Sequence, residues 1–279
     1  MKAARSYFAA SITLLSLACG MTDVADVQRP VSRGLNYPVA IELTNAMRRR
    51  SENAWRAWLL RNGAPNAASD LDPILAVPRS LPPELTNKVS LTEKTENLTV
   101  DGVKEALRQF IARGIRMLAG EPEERALTLQ DLSLVNLAED GALYRATYRQ
   151  TNFPFAVANG YGELRITATK QGSIVQLSSR LLPPVEMPTS PSTDLTPIKA
   201  ALVGRVFRYH GIDGRELEYR VGSIDEVLSR DPVVYAKEDG SRLLLHIAYP
   251  IEVGRGMTWT VFVDAIDGKE IEVKQNFNT

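Results

Sequence analysis

Residues Tyr144 to Pro183 read YRATYRQTNFPFAVANGYGELRITATKQGSIVQLSSRLLP, the most regularly patterned part of the chain. Tyr144, Ala146 and Tyr148 alternate with Arg145, Thr147 and Arg149. A period of two sends successive side chains to opposite faces, so this is a strand with one dry and one wet side. Phe153-Pro154-Phe155 interrupts it, and Leu164, Ile166 and Ala168 then alternate with polar residues in a second strand. Lys170-Gln171-Gly172 is a turn, and Ser173 to Leu177 returns as a third strand. The pattern predicts an antiparallel meander, with glycine supplying the positive φ of a tight turn.

Upstream, Val103, Ala106, Leu107, Phe110, Met117 and Leu118 follow helical spacing after a cap expected at Asp101. Gly114 lies inside that helix and is expected to mark close packing on the sheet. A further strand is expected over Leu127 to Leu137. Together these predict one helix on a four-stranded antiparallel sheet. Downstream, PPVEMPTSPSTDLTP from Pro183 to Pro197 predicts an extended proline-rich spacer. Beyond it, a helix is expected with Thr196 as cap and Pro197 at its first position. Four strand signals follow: Pro232 to Ala236, Arg242 to Pro250, Trp259 to Val263, and Ile271 with Val273. At the front, Met21 to Tyr37 lacks periodicity. A helix begins from Pro38 with Leu43, Met47, Ala54, Trp55 and Trp58 on one face, and Gly63 stops it. Ala64 to Lys88 reads as loop.

The predicted fold class is therefore α+β, with two small domains, each a helix packed on an antiparallel β-sheet, plus an N-terminal helical segment. The divisions expected are a signal peptide over 1–18, a tether over 19–37 and a helix with its loop over 38–95. The first α+β domain then covers 96–184, a proline-rich linker 185–197 and the second α+β domain 198–279.

Two family resemblances rest on these stretches. Arg145-x-x-Tyr148-Arg149-Gln150, then Gly162-x-Leu164-x-Ile166, Gly172-x-Ile174-Val175 and Leu181-Leu182-Pro183 resemble the fungalysin/thermolysin propeptide module, the first prodomain module of thermolysin-like zinc metallopeptidases. That family usually follows its Gln with Gly-x-Pro-Val; here Asn152-Phe153-Pro154-Phe155 stands instead. Trp259-Thr260-Val261-Phe262-Val263-Asp264-Ala265-x-x-Gly268, preceded by Val233-Val234-Tyr235 and Leu244 to Tyr249, resembles a PepSY domain, the second module of such prodomains. The resemblance implies a prodomain-like fold over roughly Glu96 to Asn278, with Gln150, Trp259, Asp264 and Gly268 as family-motif positions of structural role. It also implies a zinc metallopeptidase as partner, and a segment after the last hairpin, Lys274-Gln275-Asn276-Phe277 onward, lying in the protease cleft.

Composition narrows the remaining classes. The chain has 279 residues, 44% apolar and 24% charged, with a formal net charge of zero. No long-range attraction to nucleic acid follows from such a balance. One cysteine forbids an intramolecular disulfide. That cysteine, Cys19, follows the basic residues Lys2 and Arg5 and an apolar run over Tyr7 to Leu17 that is too short to span a bilayer. Ser16-Leu17-Ala18-Cys19 resembles a bacterial lipobox, with Cys19 as the lipidated residue; Ser16 stands where an aliphatic residue is usual. Ser16 and Ala18 also suit ordinary signal peptidase, so plain secretion is the other reading. Avoidance of cysteine elsewhere favours the lipoprotein. Either way the mature protein is expected outside the cytoplasm; in the lipoprotein reading it is held in the cell envelope, the lipid anchor being its link to a membrane.

No catalytic constellation appears in the sequence. There is no His-Glu-x-x-His, no Gly-x-Ser-x-Gly and no P-loop, and the histidines are His210 and His246 alone. Neither has metal-ligand spacing around it, so no cofactor or metal is expected. Asp264 is expected to bond backbone N–H groups and fix the turn to Gly268, and Gln150 to do the same at its strand end. A non-enzyme is thus expected that inhibits or helps fold a metallopeptidase, the alternative being an envelope scaffold with no protease partner. Growth with an alkyne-tagged fatty acid tests the leader: label is expected on the wild-type chain and none on Cys19→Ser.

Overall fold

The structure is a computed structural model that describes residues 36–92, 97–120 and 126–278; Cys19 and the leader lie outside them. It is α+β, as the patterning predicts. The first layer holds strands β2 (Leu132–Asp140), β3 (Leu143–Gln150), β4 (Glu163–Thr169) and β5 (Ile174–Ser179), in the order β2-β3-β4-β5, all antiparallel. The strand expected over 127–137 thus starts at Leu132, because Thr128 and Asp131 close a capping box that turns Leu129–Asp131 into a single 3-10 turn. Helix α2 (Val100–Ala119) lies on the dry face. Its Val103, Leu107, Phe110, Ile111 and Leu118 pack with Tyr144, Ala146, Tyr148, Leu164, Ile166 and Leu177. Its cap is Thr99, whose hydroxyl accepts from the Gly102 N–H at 3.1 Å, two residues earlier than the Asp101 expected.

Helix α1 (Asn45–Arg61) adds Trp55, Trp58 and Leu59 to the same core. It does not begin at Pro38, because residues 39–41 are taken by a short strand, β1 (Val39–Ile41). Thr44 caps the helix instead. At its end the Ala64 N–H bonds the Leu59 carbonyl and the Gly63 N–H that of Leu60, the double bond of a Schellman stop.

The second layer is organised by β10 (Arg242–Val253). Along one side run β8 (Val227–Ser229) and β9 (Val233–Asp239); along the other run β11 (Trp259–Asp264) and then β1, which pairs Val39 with Leu245 and Ile41 with Leu243. Strand β12 (Glu270–Gln275) closes the far edge beside β11. Helix α3 (Leu195–Leu202) and a hairpin of β6 (Val206–His210) and β7 (Glu216–Arg220) cover one half of the dry face around Trp259, Val261 and Val263. The helix is capped by Asp194, which accepts from the Thr196 N–H at 2.9 Å, so Pro197 sits at the third helical position rather than the first. The hairpin around His210, a stretch for which no strand is predicted, is a regular ladder from Val206↔Arg220 to His210↔Glu216.

A third core joins the layers. Leu243, Leu245, Ile247, Val234 and Ala236 from the second sheet meet Ile41, Ile74, Leu75, Val77, Phe153, Tyr161, Leu182 and Met187. Leu75, Ala76 and Val77 are therefore interior despite their loop backbone, and Asp72, itself buried, turns them inward by accepting from the Ile74 and Leu75 N–H groups at 2.9 Å. The proline-rich stretch is packed rather than suspended: Leu182 and Met187 are buried, and the Ser192 and Thr193 N–H groups bond the Ala265 carbonyl. The β3–β4 loop crosses over as well. Ala158 donates to the Val234 carbonyl and Val234 to that of Ala156, so the loop covers the free edge of β9. Gly162 lets that loop close: its φ is +68°, and a Cβ there would fall 2.9 Å from Val157.

Gly114 does not mark a tight helix–sheet contact. A Cβ at that position would meet Met117 at 3.6 Å and Leu118 at 3.9 Å, ordinary contacts within its own helix. Gly114→Ala is therefore expected to stabilise the fold by about 1 kcal/mol, since glycine only adds backbone entropy to the unfolded chain here. A denaturant midpoint that falls on substitution would contradict this.

Candidate functional site

Two polar arrangements stand out, one on each sheet. The first occupies the wet face of the β2–β5 sheet. Antiparallel register places Ser133, Arg149 and Glu163 in one row; Asn136, Thr147, Arg165 and Ser178 in the next; Ala138, Arg145, Thr167 and Gln176 in a third. The twisted face forms an open groove of about 710 Å³ lined by these residues other than Ser133. Alternation alone sends them there, because their neighbours Tyr144, Ala146, Tyr148, Leu164 and Ile166 are needed inside. Glu163 sits low in the groove, its side chain only 10% exposed, between Arg149 Nε at 3.0 Å and Arg165 Nη2 at 2.5 Å. Arg145 pairs with Asp140 at 2.8 Å on the rim, both side chains more than half exposed. Val135, the extra residue of a bulge in β2, is 48% exposed beside them.

The second arrangement lies at the junction of β11, β1 and β10. The Asp264 carboxylate accepts from the Tyr37 hydroxyl at 2.9 Å and from the Ile266 N–H at 2.8 Å, and His246 Nδ1 stands 2.7 Å away. A carboxylate only accepts, so Nδ1 carries a proton and His246 donates. The Tyr37 oxygen also accepts from the Ile247 N–H at 2.8 Å. Burial pushes the Asp264 carboxyl up, but the bonds from His246, Ile266, Tyr37 and Asp267 outweigh it and hold it below the usual carboxylate range. Burial, then the Asp264 charge, drive the Tyr37 phenol far above its ordinary value, so it stays a donor. An Asp–His pair of this geometry orients a base in hydrolases. Here, among the described residues, no hydroxyl or thiol is hydrogen-bonded to the other ring nitrogen, and the ring faces Tyr37 edge-on at 6.1 Å. The chemistry available is that of a brace, tying β1 to β10 and β11.

The residues singled out from sequence fall into separate places. Asp264 also accepts from the Asp267 N–H, and its carbonyl accepts from the Gly268 N–H, so it does fix the turn. Gly268 takes φ +76°, and a Cβ there would press on Thr193 of the proline-rich stretch at 3.3 Å. Gln150 is buried and, besides donating to the Asn152 side chain at its own strand end at 3.2 Å, grips a distant backbone: its oxygen accepts from the Leu182 N–H at 2.7 Å and its amide donates to the Leu182 carbonyl at 2.9 Å. Trp259 is enclosed by Phe207, Tyr209, Tyr219 and Phe277 at 5.0–5.9 Å between ring centres. The tail is engaged in the fold: Lys274 and Gln275 belong to β12, Lys274 bonds Asn159, Asn276 bonds Thr258 and Thr260, and Phe277 packs on Trp259. His210 lies exposed at the end of β6. Tyr37 had no signal in the sequence, standing as it does in a stretch without periodicity. Glu163 was legible only as one of several polar alternates.

Among the described residues, no group of three or more His, Cys, Asp or Glu side chains could hold a metal ion. No helix among them is long and apolar enough to cross a membrane. No family model matches the chain, and no curated protein matches it. Among solved structures it is similar to the C-terminal domain of YpeB from Bacillus megaterium, at 12% identity and a TM-score of 0.31, over 85% of this chain and 99% of that one. No shared function follows from a likeness at that level.

The brace gives a pH-dependent outcome. A carboxyl held below its unfolded value contributes stability above about pH 4 that is lost as pH falls through the folded value. Asp264→Asn is expected to cost on the order of 2 kcal/mol at pH 7. The gap between wild type and variant should narrow as unfolding is measured at successively lower pH below the carboxylate range. A gap independent of pH would show that the charge plays no part.

Proposed function

We propose that this chain is a non-enzymatic, lipid-anchored envelope protein that binds an exported zinc metallopeptidase, as its inhibitor or its folding helper. The observation that carries the binding reading is the groove on the β2–β5 sheet. It is a floor of polar side chains spaced by strand register, open along its length, with no nucleophile–base pair in it. The class of partner comes from the resemblance of the two modules, in the same order, to thermolysin-like prodomains. Because Lys274 to Phe277 are used in the sheet and on Trp259, the protease-facing surface in this reading is the groove and not a free tail.

The N-terminal strap supports a second reading. Residues 36–92 put one strand in the second sheet and one helix on the first, and the prodomain resemblance does not include them. A fold that carries its own clamp suits an envelope scaffold with no protease partner. Fold alone decides nothing between the two. The test is to titrate the full-length protein in detergent micelles against the secreted zinc peptidases of its own organism, following cleavage of a fluorogenic peptide. Saturable loss of activity, or a raised yield of active enzyme on refolding, is expected. Unchanged activity and yield, with no complex on gel filtration, would leave the scaffold.

A further inference from the structure

We propose that the groove takes an extended acidic segment of the partner, with Asp or Glu at alternate positions, gripped by Arg149, Arg165 and Arg145. The inference rests on the reading of the groove as the partner-binding surface and specifies its chemistry.

Register supplies the spacing. Arg149, Arg165 and Arg145 stand in three successive same-face rows, because Arg165 pairs with Thr147, midway between the two β3 arginines. Rows on one face of a strand are about 6.6 Å apart, which is also the spacing of alternate side chains in any extended chain. A peptide lying along the strand direction with acidic residues at i, i+2 and i+4 therefore presents one carboxylate to each guanidinium. Three rows cover about 13 Å, too long for one small anion.

Charge supplies the sign. Two guanidiniums share the single carboxylate of Glu163, so this end of the groove keeps an excess positive charge. Only Nε of Arg149 is engaged, while Arg165 uses Nε and Nη2. A guanidinium carries five N–H donors in a fixed fork suited to carboxylates. Arg145 is held by an exposed rim pair, the kind whose net worth is small, so its exchange of Asp140 for an incoming carboxylate costs little. Thr147, Thr167, Asn136, Gln176 and Ser178 fill the rest of the Arg165 and Arg145 rows with groups able to meet a peptide backbone. Glu163 itself acts as an internal stand-in, a carboxylate already seated where the first acidic side chain of the occupant approaches.

The experiment measures fluorescence anisotropy with full-length protein in micelles and three labelled heptapeptides: Thr-Glu-Thr-Glu-Thr-Glu-Thr, its Gln counterpart, and an isomer with the three Glu contiguous. The alternating acidic peptide is expected to bind best, the Gln peptide at least about tenfold more weakly, and the contiguous isomer in between. E163Q is expected to tighten the alternating peptide several-fold, which a purely structural Glu163 would not do. R149A/R165A should lose binding; since it strands Glu163, the neutral network R149Q/E163Q/R165Q is measured beside it. R208A/R215A on the β6–β7 hairpin removes the same charge elsewhere and should leave binding unchanged. Equal binding of the Gln and Glu peptides, or equal loss in the hairpin variant, overturns the inference. If a metallopeptidase complex forms but ignores R149Q/E163Q/R165Q, the acidic segment is wrong and the partner reading stands. If the peptide pattern holds but no metallopeptidase complex forms, the groove chemistry stands and the partner reading falls.

Discussion

Strand β10 runs for twelve residues, and its backbone N–H and C=O groups need partners along both sides. No single neighbour is long enough. On one side the chain supplies β9 and then β8, joined by a short break; on the other it supplies β11 and then β1, which come from opposite ends of the described chain. Where β11 stops and β1 has not begun, the Ile247 N–H faces a gap. The Tyr37 hydroxyl fills it, and Asp264 and His246 fix that hydroxyl in turn. A buried amide without a partner would cost about 1–3 kcal/mol, so the polar cluster has a structural task before any other is considered.

That arrangement has consequences for the first layer. Once β1 is held in the second sheet, α1 follows within a few residues and packs Trp55 and Trp58 into the first core. The strap thus spans both layers. Gln150 adds a second tie by holding the Leu182 backbone with both ends of its amide, and the β3–β4 loop adds a third along β9. Tyr161 reaches Glu238 at 2.5 Å under the Arg180 guanidinium, whose carbon stands 4.0 Å from the ring centre. Each tie is modest alone. Together with the shared core around Leu245 and Ile247 they make the β2–β5 sheet a supported floor instead of a separate module on a spacer.

The sequence disclosed what depends on periodicity. Alternation over Tyr144 to Leu177 gave the antiparallel meander, and the 3-4 spacing over Val103 to Leu118 gave α2. What it hid depends on contacts between distant residues. β1 is three residues long, too short for any period, and exists only because β10 offers it an edge. Ala64 to Lys88 looks like loop by composition, and its backbone is loop apart from a 3-10 turn at Pro83–Leu85, yet Leu75, Val77 and Leu85 are interior because two layers close over them. Pro183 to Pro197 carries the composition of a spacer; Met187 and the bonds to the Ala265 carbonyl turn it into a seam. The helix caps missed by one or more residues were misread for a local reason. Asp101 and Thr196 are both capable caps, and the choice fell to Thr99 and Asp194, whose oxygens reach the first free N–H groups.

The groove shows how far the same periodicity reaches towards function. Burial of Tyr144, Ala146 and Tyr148 obliges Arg145, Thr147 and Arg149 to face outward, but it does not oblige them to be arginine. Threonine suits a wet strand face at least as well and carries no self-repulsion. Rows about 6.6 Å apart are comparable with the screening length of about 8 Å at physiological salt, so like charges standing on them repel and are only partly screened. Glu163 relieves this for Arg149 and Arg165 and, at 10% side-chain exposure, is itself drawn down between them. The fold gains little from such a face beyond what neutral residues would give. The features it does supply are a fixed spacing of donors and a local excess of positive charge on a chain whose total is zero. Both are properties that matter to a ligand rather than to the core, and both are set by register, the one quantity that a strand pattern specifies most firmly.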